Sequence, residues 1–195
     1  LPQLAEQYGM MIVCPDGENS WYWDSPKNSA SQFETFVSDE LVKYVDQNYQ
    51  TIPNAGGRAI TGLSMGGHGA LWLAIRHQNV FGGAGSTSGG LDILPFANNW
   101  RIKEQLGEQL SNKQIWETHT VINQLEKLKN GDLMVIIDCG FDDIFFEVNN
   151  KAHRKLCALN IKHDYIVRPG THNSQYWNNS IEYQILFFAK FFYDK

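Results

Sequence analysis

Ala59-Ile60-Thr61-Gly62-Leu63-Ser64-Met65-Gly66-Gly67-His68-Gly69-Ala70, running on into Leu71-Trp72-Leu73-Ala74-Ile75, is the stretch whose reading decides the fold. It reads as a short apolar strand, a glycine-bounded turn and a helix with small residues in its first turns. At the turn stands Gly62-x-Ser64-x-Gly66, the pattern of a nucleophile elbow. A serine on so sharp a turn needs strained dihedrals, and glycines two residues to either side let strand and helix approach each other. The helix that begins there aims its first unpaired N–H groups, and the positive end of its dipole, at whatever reacts with Ser64.

Outward from the elbow the chain alternates strands with helices. Leu1 to Tyr8 reads as a helix end capped by Gly9, and Met10–Cys14 as an apolar strand closed by Pro15-Asp16-Gly17. A polar and aromatic loop, Asn19-Ser20-Trp21-Tyr22-Trp23-Asp24-Ser25-Pro26, follows. Phe33, Phe36, Val37, Leu41, Val42 and Val45 keep helical spacing over 32–48. Beyond the elbow, Phe81–Ser86 reads as a small-residue strand and Leu133–Gly140 as a buried one. Helices are predicted over 115–129, 147–159 and 181–192, and a last strand over His163–Arg168 that turns at Pro169-Gly170. The alternation predicts an α/β fold, a mostly parallel sheet with helices on both faces, in one domain over 1–195. The mixed region 91–130 is expected to form a cap or insert. Ligands in such sheets bind beyond the carboxyl ends of the strands.

Composition narrows the partners. A net charge of −5 leaves no basic stripe for phosphates, so nucleic acid is excluded as the main partner. No run is long enough to span a membrane, no signal peptide is visible, and the compartment stays open. Cys14, Cys139 and Cys157 form no Cys-x-x-Cys pair, which predicts neither a disulfide framework nor a zinc site. No cofactor motif is present.

A serine hydroxyl becomes a nucleophile only beside a positioned base, itself oriented by a carboxylate. The expected chain order is serine, acid, histidine. His172, just past the last strand, is the candidate base; His68, His77, His119, His153 and His163 fall on helices or at a strand start. Asp142 and Asp143 follow the Gly140 turn in position to meet it, with Asp143 preferred, while Asp138 lies within the strand. Trp21, Tyr22, Trp23 and Trp177 are candidates for contact with an acyl or sugar group, and each could equally belong to the core.

The runs Thr61–Ala70, Asp138-Cys139-Gly140-Phe141-Asp142-Asp143 and Pro169-Gly170-Thr171-His172 together resemble the putative-esterase (esterase D) family of α/β-hydrolases. That family includes S-formylglutathione hydrolases, tributyrin and feruloyl esterases, and mycolyltransferases. The loop from Pro15 to Pro26 resembles its short esterases, some attached to plant-polysaccharide degradation. The resemblance covers nearly the whole chain. It implies Ser64 as nucleophile, His172 as base, Asp143 as the orienting acid and the Met65 N–H as an oxyanion donor. Members of the family carry, upstream of the segment matching Leu1, a central strand ending in His-Gly that supplies a second oxyanion donor. This sequence lacks it, so the chain is expected to be an N-terminally truncated part of a longer protein, with an open sheet that a second copy could fill. Thr171 and Ser174 also depart from the family, which often has glycine before the histidine and tryptophan soon after it.

The function expected is a serine carboxylic-ester hydrolase acting through an acyl-enzyme on short acyl, acetyl or hydroxycinnamoyl esters of carbohydrates or small molecules. The competing readings are a non-catalytic, carbohydrate-associated binding module and an acyltransferase or thioesterase with the same residues.

Overall fold

The computed structural model describes residues 1–193. Strands β1 (Ala59–Leu63), β2 (Gly83–Thr87), β3 (Met134–Gly140) and β4 (Asp164–Arg168) form one sheet in the order β1-β2-β3-β4, each neighbouring pair parallel. The register sets Leu63 beside Thr87, Thr87 beside Asp138 and Gly140 beside Arg168, so the carboxyl ends line one rim. The helices are α1 (Pro2–Gln7), α2 (Phe33–Thr35), α3 (Leu41–Asn48), α4 (Met65–Arg76), α5 (Ile102–Leu106), α6 (Lys113–Thr118), α7 (Val121–Gln124), α8 (Phe146–Ala158) and α9 (Ser174–Tyr193), and those between strands, α4 to α8, supply the crossovers.

Side chains alternate between the faces of a strand. Ala84, Val135 and Ile137 therefore join the core beneath α4, where Leu71, Trp72, Leu73 and Ile75 are almost fully buried. Burying side chains of this size contributes about 1.5–3 kcal/mol each. The opposite face meets α9, where the Thr61 hydroxyl donates to Gln184 Oε1 at 2.9 Å. A π-helical turn over Phe36–Glu40 joins α2 to α3. Buried Glu34 ties this pair to α4 by accepting from Trp72 Nε1 (3.0 Å) and Arg76 Nε (2.7 Å), with His77 Nε2 at 2.8 Å.

Three local expectations need correction. Met10–Cys14 forms no strand or ladder among the described residues, and Met11 and Val13 are exposed. A strand exists only where a partner satisfies its N–H and C=O groups, and β1 is the sheet's edge. The helix expected over 115–129 is broken into α6, α7 and a 3-10 turn at Leu125–Lys127. The Thr118 hydroxyl bonds back to Gln114 O and Ile115 O, while extended Thr120 uses its hydroxyl on Ile93 N–H and Leu91 O. Such side-chain bonds compete with the helical ladder. The last helix begins at Ser174 rather than near Ile181, because Asn173 Oδ1 accepts the Tyr176 N–H and starts it early. In 91–130, Ile102, Leu106, Trp116, Val121 and Leu125 are buried in the same core as α4, so the region packs into the main body.

Candidate active site

The site is assembled where β1, β3 and β4 end. Ser64 sits between β1 and α4 at φ 54°, ψ −118°, outside the conformations an ordinary side chain prefers. A Cβ on Gly62 would fall on the backbone of Gly66, so the tight turn requires glycine there. A Cβ on Gly66 itself would meet open space, so it is Gly62 that the close approach fixes. The Ser64 N–H is held by Thr87 O at 2.9 Å across the rim, which anchors the turn to β2. Met65 opens α4, and its N–H has no acceptor one turn back within the helix.

The acid and base loops are tied to each other before either reaches Ser64. Phe141 N–H donates to Arg168 O (2.8 Å) and Asp142 N–H to Gly170 O (2.9 Å). A side chain on Gly140 would strike the Gly170 carbonyl, so glycine there lets the two turns close. From this clamp Asp143 and His172 face each other, with Asp143 Oδ1 and Oδ2 at 3.1 and 3.0 Å from His172 Nδ1. His172 Nε2 lies 2.9 Å from Ser64 Oγ. A carboxylate can only accept, so Nδ1 carries the proton and Nε2 offers its lone pair to the hydroxyl. The structure thus brings Ser64, His172 and Asp143 together. Asp142, one residue away, is exposed, and it is Asp143 that meets the imidazole.

The Asp143 side chain is wholly covered, which by itself would raise its pKa. The contacts with His172 and with the Phe145 N–H (2.8 Å) outweigh that burial and hold the carboxyl below its ordinary value. His172 is flanked edge-on by Phe145 (5.3 Å between centroids) and by Trp177 (4.9 Å), which hold the ring upright. His68 is different in kind. It is fully buried among Trp21, Trp23 and Trp72, and burial pushes its pKa down to about 3, so it stays neutral in the core.

Beside Ser64 opens a cavity of about 230 Å³ lined by Glu18, Asn19, Trp21, Ser64, Met65, Trp100 and Phe145. Trp21, Ser64 and Trp100 all have positive φ, at 55°, 54° and 48°. Strain of this kind gathers where the surrounding fold holds a wall in place. The Trp21 indole N–H reaches Trp100 O at 3.4 Å, joining the aromatic loop to the 91–130 region. Of the aromatic candidates, Trp21 lies in the cavity wall and Trp177 stands behind His172. Trp23 is fully buried against His68 and Trp72, and the Tyr22 ring is wedged between Gly17 and Gly69, so neither lines the cavity. Trp100 and Phe145 carried no sequence signal for this wall; the one hint was that Phe145 follows Asp143 by two residues.

A family model described as "Putative esterase" matches residues 3–188. An acetyl esterase from Caldicellulosiruptor saccharolyticus is 24% identical over 193 residues, covering 92% of this chain and 71% of the relative. Among solved structures, the Staphylococcus aureus fluorophosphonate-binding serine hydrolase FphF superposes with TM-score 0.85 at 21% identity, over 96% of this chain and 74% of that one. A ferulic acid esterase superposes with TM-score 0.72 at 24% identity over 88% of this chain, which spans 64% of the length of that structure. These structural likenesses establish the α/β-hydrolase-type fold. Among the described residues no helix is long and apolar enough to cross a membrane.

Proposed function

The chain belongs to the esterase family, and from that premise we propose that it hydrolyses carboxylic esters through an acyl-enzyme formed on Ser64. The observation that carries the reading is the run of contacts from Ser64 Oγ to His172 Nε2 (2.9 Å) and from His172 Nδ1 to Asp143 (3.0 Å). As Ser64 Oγ attacks the acyl carbon, His172 Nε2 takes its proton. The negative oxygen that forms lies against the Met65 N–H and the amino end of α4; a single such donor is typically worth about 100- to 1000-fold in rate. Collapse breaks the ester C–O bond, and the departing alkoxide takes the proton back from His172. A water then gives a proton to His172 and attacks the acyl carbon, releasing the carboxylic acid and restoring the Ser64 hydroxyl. Asp143 stays ionised throughout, holding the ring and its tautomer.

The substrates proposed are acetyl, short acyl or hydroxycinnamoyl esters, with a sugar or other small alcohol as leaving group. The aromatic walls from Trp21, Trp100 and Phe145 suit a short or flat acyl group, and the similarity to an acetyl esterase points the same way. Trp100 in that wall supports 91–130 acting as a partial cap.

Ser64→Ala tests the reading. The parent protein should be labelled covalently by a fluorophosphonate and should release p-nitrophenol from p-nitrophenyl acetate. The variant should do neither while keeping its circular dichroism spectrum. A folded parent protein that takes no label would instead favour a binding module, and labelling that persists in Ser64→Ala would place the nucleophile at another residue.

A further inference from the structure

At the end of β4 remote from the rim lies a second group of reactive side chains. His153 and Cys157 stand one turn apart on the same face of α8. The helix ends at Ala158, the chain reverses through Asn160 at φ 57°, and His163 returns against them just before β4 begins. His153 Nδ1 lies 2.8 Å from His163 Nε2, and Cys157 Sγ lies 3.9 Å from each ring nitrogen of His153. One donor atom from each of the three falls within 4.8 Å of the others.

We propose that His153, Cys157 and His163 bind a zinc-class divalent cation, with water in the fourth position, and that the ion staples α8 to β4. The surroundings already orient the ligands. His163 Nδ1 lies 2.8 Å from Ile161 O, which can only accept, so its proton is on Nδ1 and its Nε2 lone pair faces His153. A backbone carbonyl in that role is the usual outer support of a metal-binding histidine. The His153 ring stacks on Tyr165 at 4.5 Å and 22°, and the Tyr165 hydroxyl donates to Asn150 Oδ1 at 2.7 Å. Both histidines are half-buried while Cys157 is exposed, so a small rotation of one free side chain brings the sulfur round.

The donor set selects the ion. Two imidazoles and a thiolate suit zinc in a tetrahedral site, whereas calcium and magnesium require oxygen ligands. Without metal, the short nitrogen–nitrogen contact is a hydrogen bond from His153 Nδ1–H to His163 Nε2. Zinc takes its place: the His153 proton moves to Nε2, the Cys157 thiol proton goes to solvent, and one proton is released per ion bound.

The test uses the intact protein stripped with a chelator. Zinc titration against a chromophoric chelator should give one tight site per chain and raise the thermal midpoint, and cobalt(II) should show a thiolate charge-transfer band. Cys157→Ser should lose that band, and both Cys157→Ser and His163→Gln should weaken zinc binding by about 100-fold or more, since even outer-sphere losses cost 10- to 100-fold. Metal-free Cys157→Ser should melt with the metal-free parent, which separates lost ligation from lost folding. Absence of saturable binding in the parent, or unchanged affinity in both variants, would overturn the proposal.

Discussion

Two aspartates stand either side of Gly140, both sealed from solvent, yet the regions around them are built for different ends. Asp138, on β3, is fully buried and accepts from Arg168 Nη2 and from the Tyr176 hydroxyl on α9. Asp143, past the strand end, faces His172 and takes the Phe145 N–H. Burial does not distinguish them; the partner does. Strand alternation turns Asp138, like Ile136, toward the α9 face, where Arg168 also lies over the Tyr183 ring at 4.2 Å. The turn after Gly140 frees Asp143 from that alternation and points it at an imidazole, whose charge can change. A permanent cation locks the first region; in the second the carboxylate holds a ring whose other nitrogen faces Ser64 Oγ.

The largest expected effect breaks the second region alone. Asp143→Asn offers an amide N–H to His172 Nδ1 and favours the tautomer whose Nε2 is already protonated. Ester turnover should fall by about 10⁴-fold with the fold intact. Stopped assays on p-nitrophenyl acetate, paired with thermal melts, check it; activity within tenfold of the parent would remove Asp143 from the proposed mechanism. Asp138→Asn should do the reverse. It leaves the Arg168 guanidinium, a fifth exposed, without its anion. Breaking a buried pair on one side costs about 3–5 kcal/mol, and the partial exposure places this one near the lower end. The midpoint should drop by roughly 6–12 °C for a chain of this size. Turnover per folded molecule should stay within about threefold, since nothing that touches substrate has moved.

A third buried carboxylate sharpens the contrast through pH. Burial raises the pKa of Glu34, but His77, Arg76 and Trp72 overcome it and lower it to about 2. Because the folded group titrates below its unfolded value, its stabilisation is complete above about pH 4.3 and is lost as pH falls toward 2. On the order of 3 kcal/mol follows from that shift. Asp143, also lowered, adds loss of the same sign. Glu34→Gln should therefore melt lower at neutral pH and show a flatter acid limb in denaturant titrations between pH 5 and about 2. A parallel acid limb would mean that the network around Trp72 carries little of the acid sensitivity.

What could be read from residues alone follows the range of the forces involved. The elbow was legible because its constraint is local: Gly62 must give way to Gly66, and the apolar run after it can only be a buried helix. His172 and the Asp142–Asp143 pair were legible as strand-end loops, and choosing between the two acids needed the Gly140–Gly170 clamp, a contact between distant turns. The cavity wall was legible only in part, through Trp21 and the elbow residues. Trp100 and Arg101, like Trp21 and Tyr22, take positive φ, a backbone state that hydrophobic periodicity does not announce. The Met10–Cys14 strand failed for a related reason: apolar composition proposes a strand, and only a neighbour makes one. His153 and Cys157 are visible as an i, i+4 pair, but His163 joins them through the turn at Asn160.

The smallest expected effect is the most discriminating between neighbours. Asp142 differs from Asp143 by a single position, carries the same charge and lies in the same turn. Its backbone N–H, not its carboxylate, does the structural work by donating to Gly170 O. Asp142→Asn keeps that N–H and removes only an exposed charge. Stability should change by no more than about 0.5 kcal/mol, as for surface substitutions generally, and turnover should stay within about twofold. A loss approaching that of Asp143→Asn would mean that the loop exchanges the two carboxylates at His172. Position on the turn, not charge alone, would then have lost its hold on which acid orients the base.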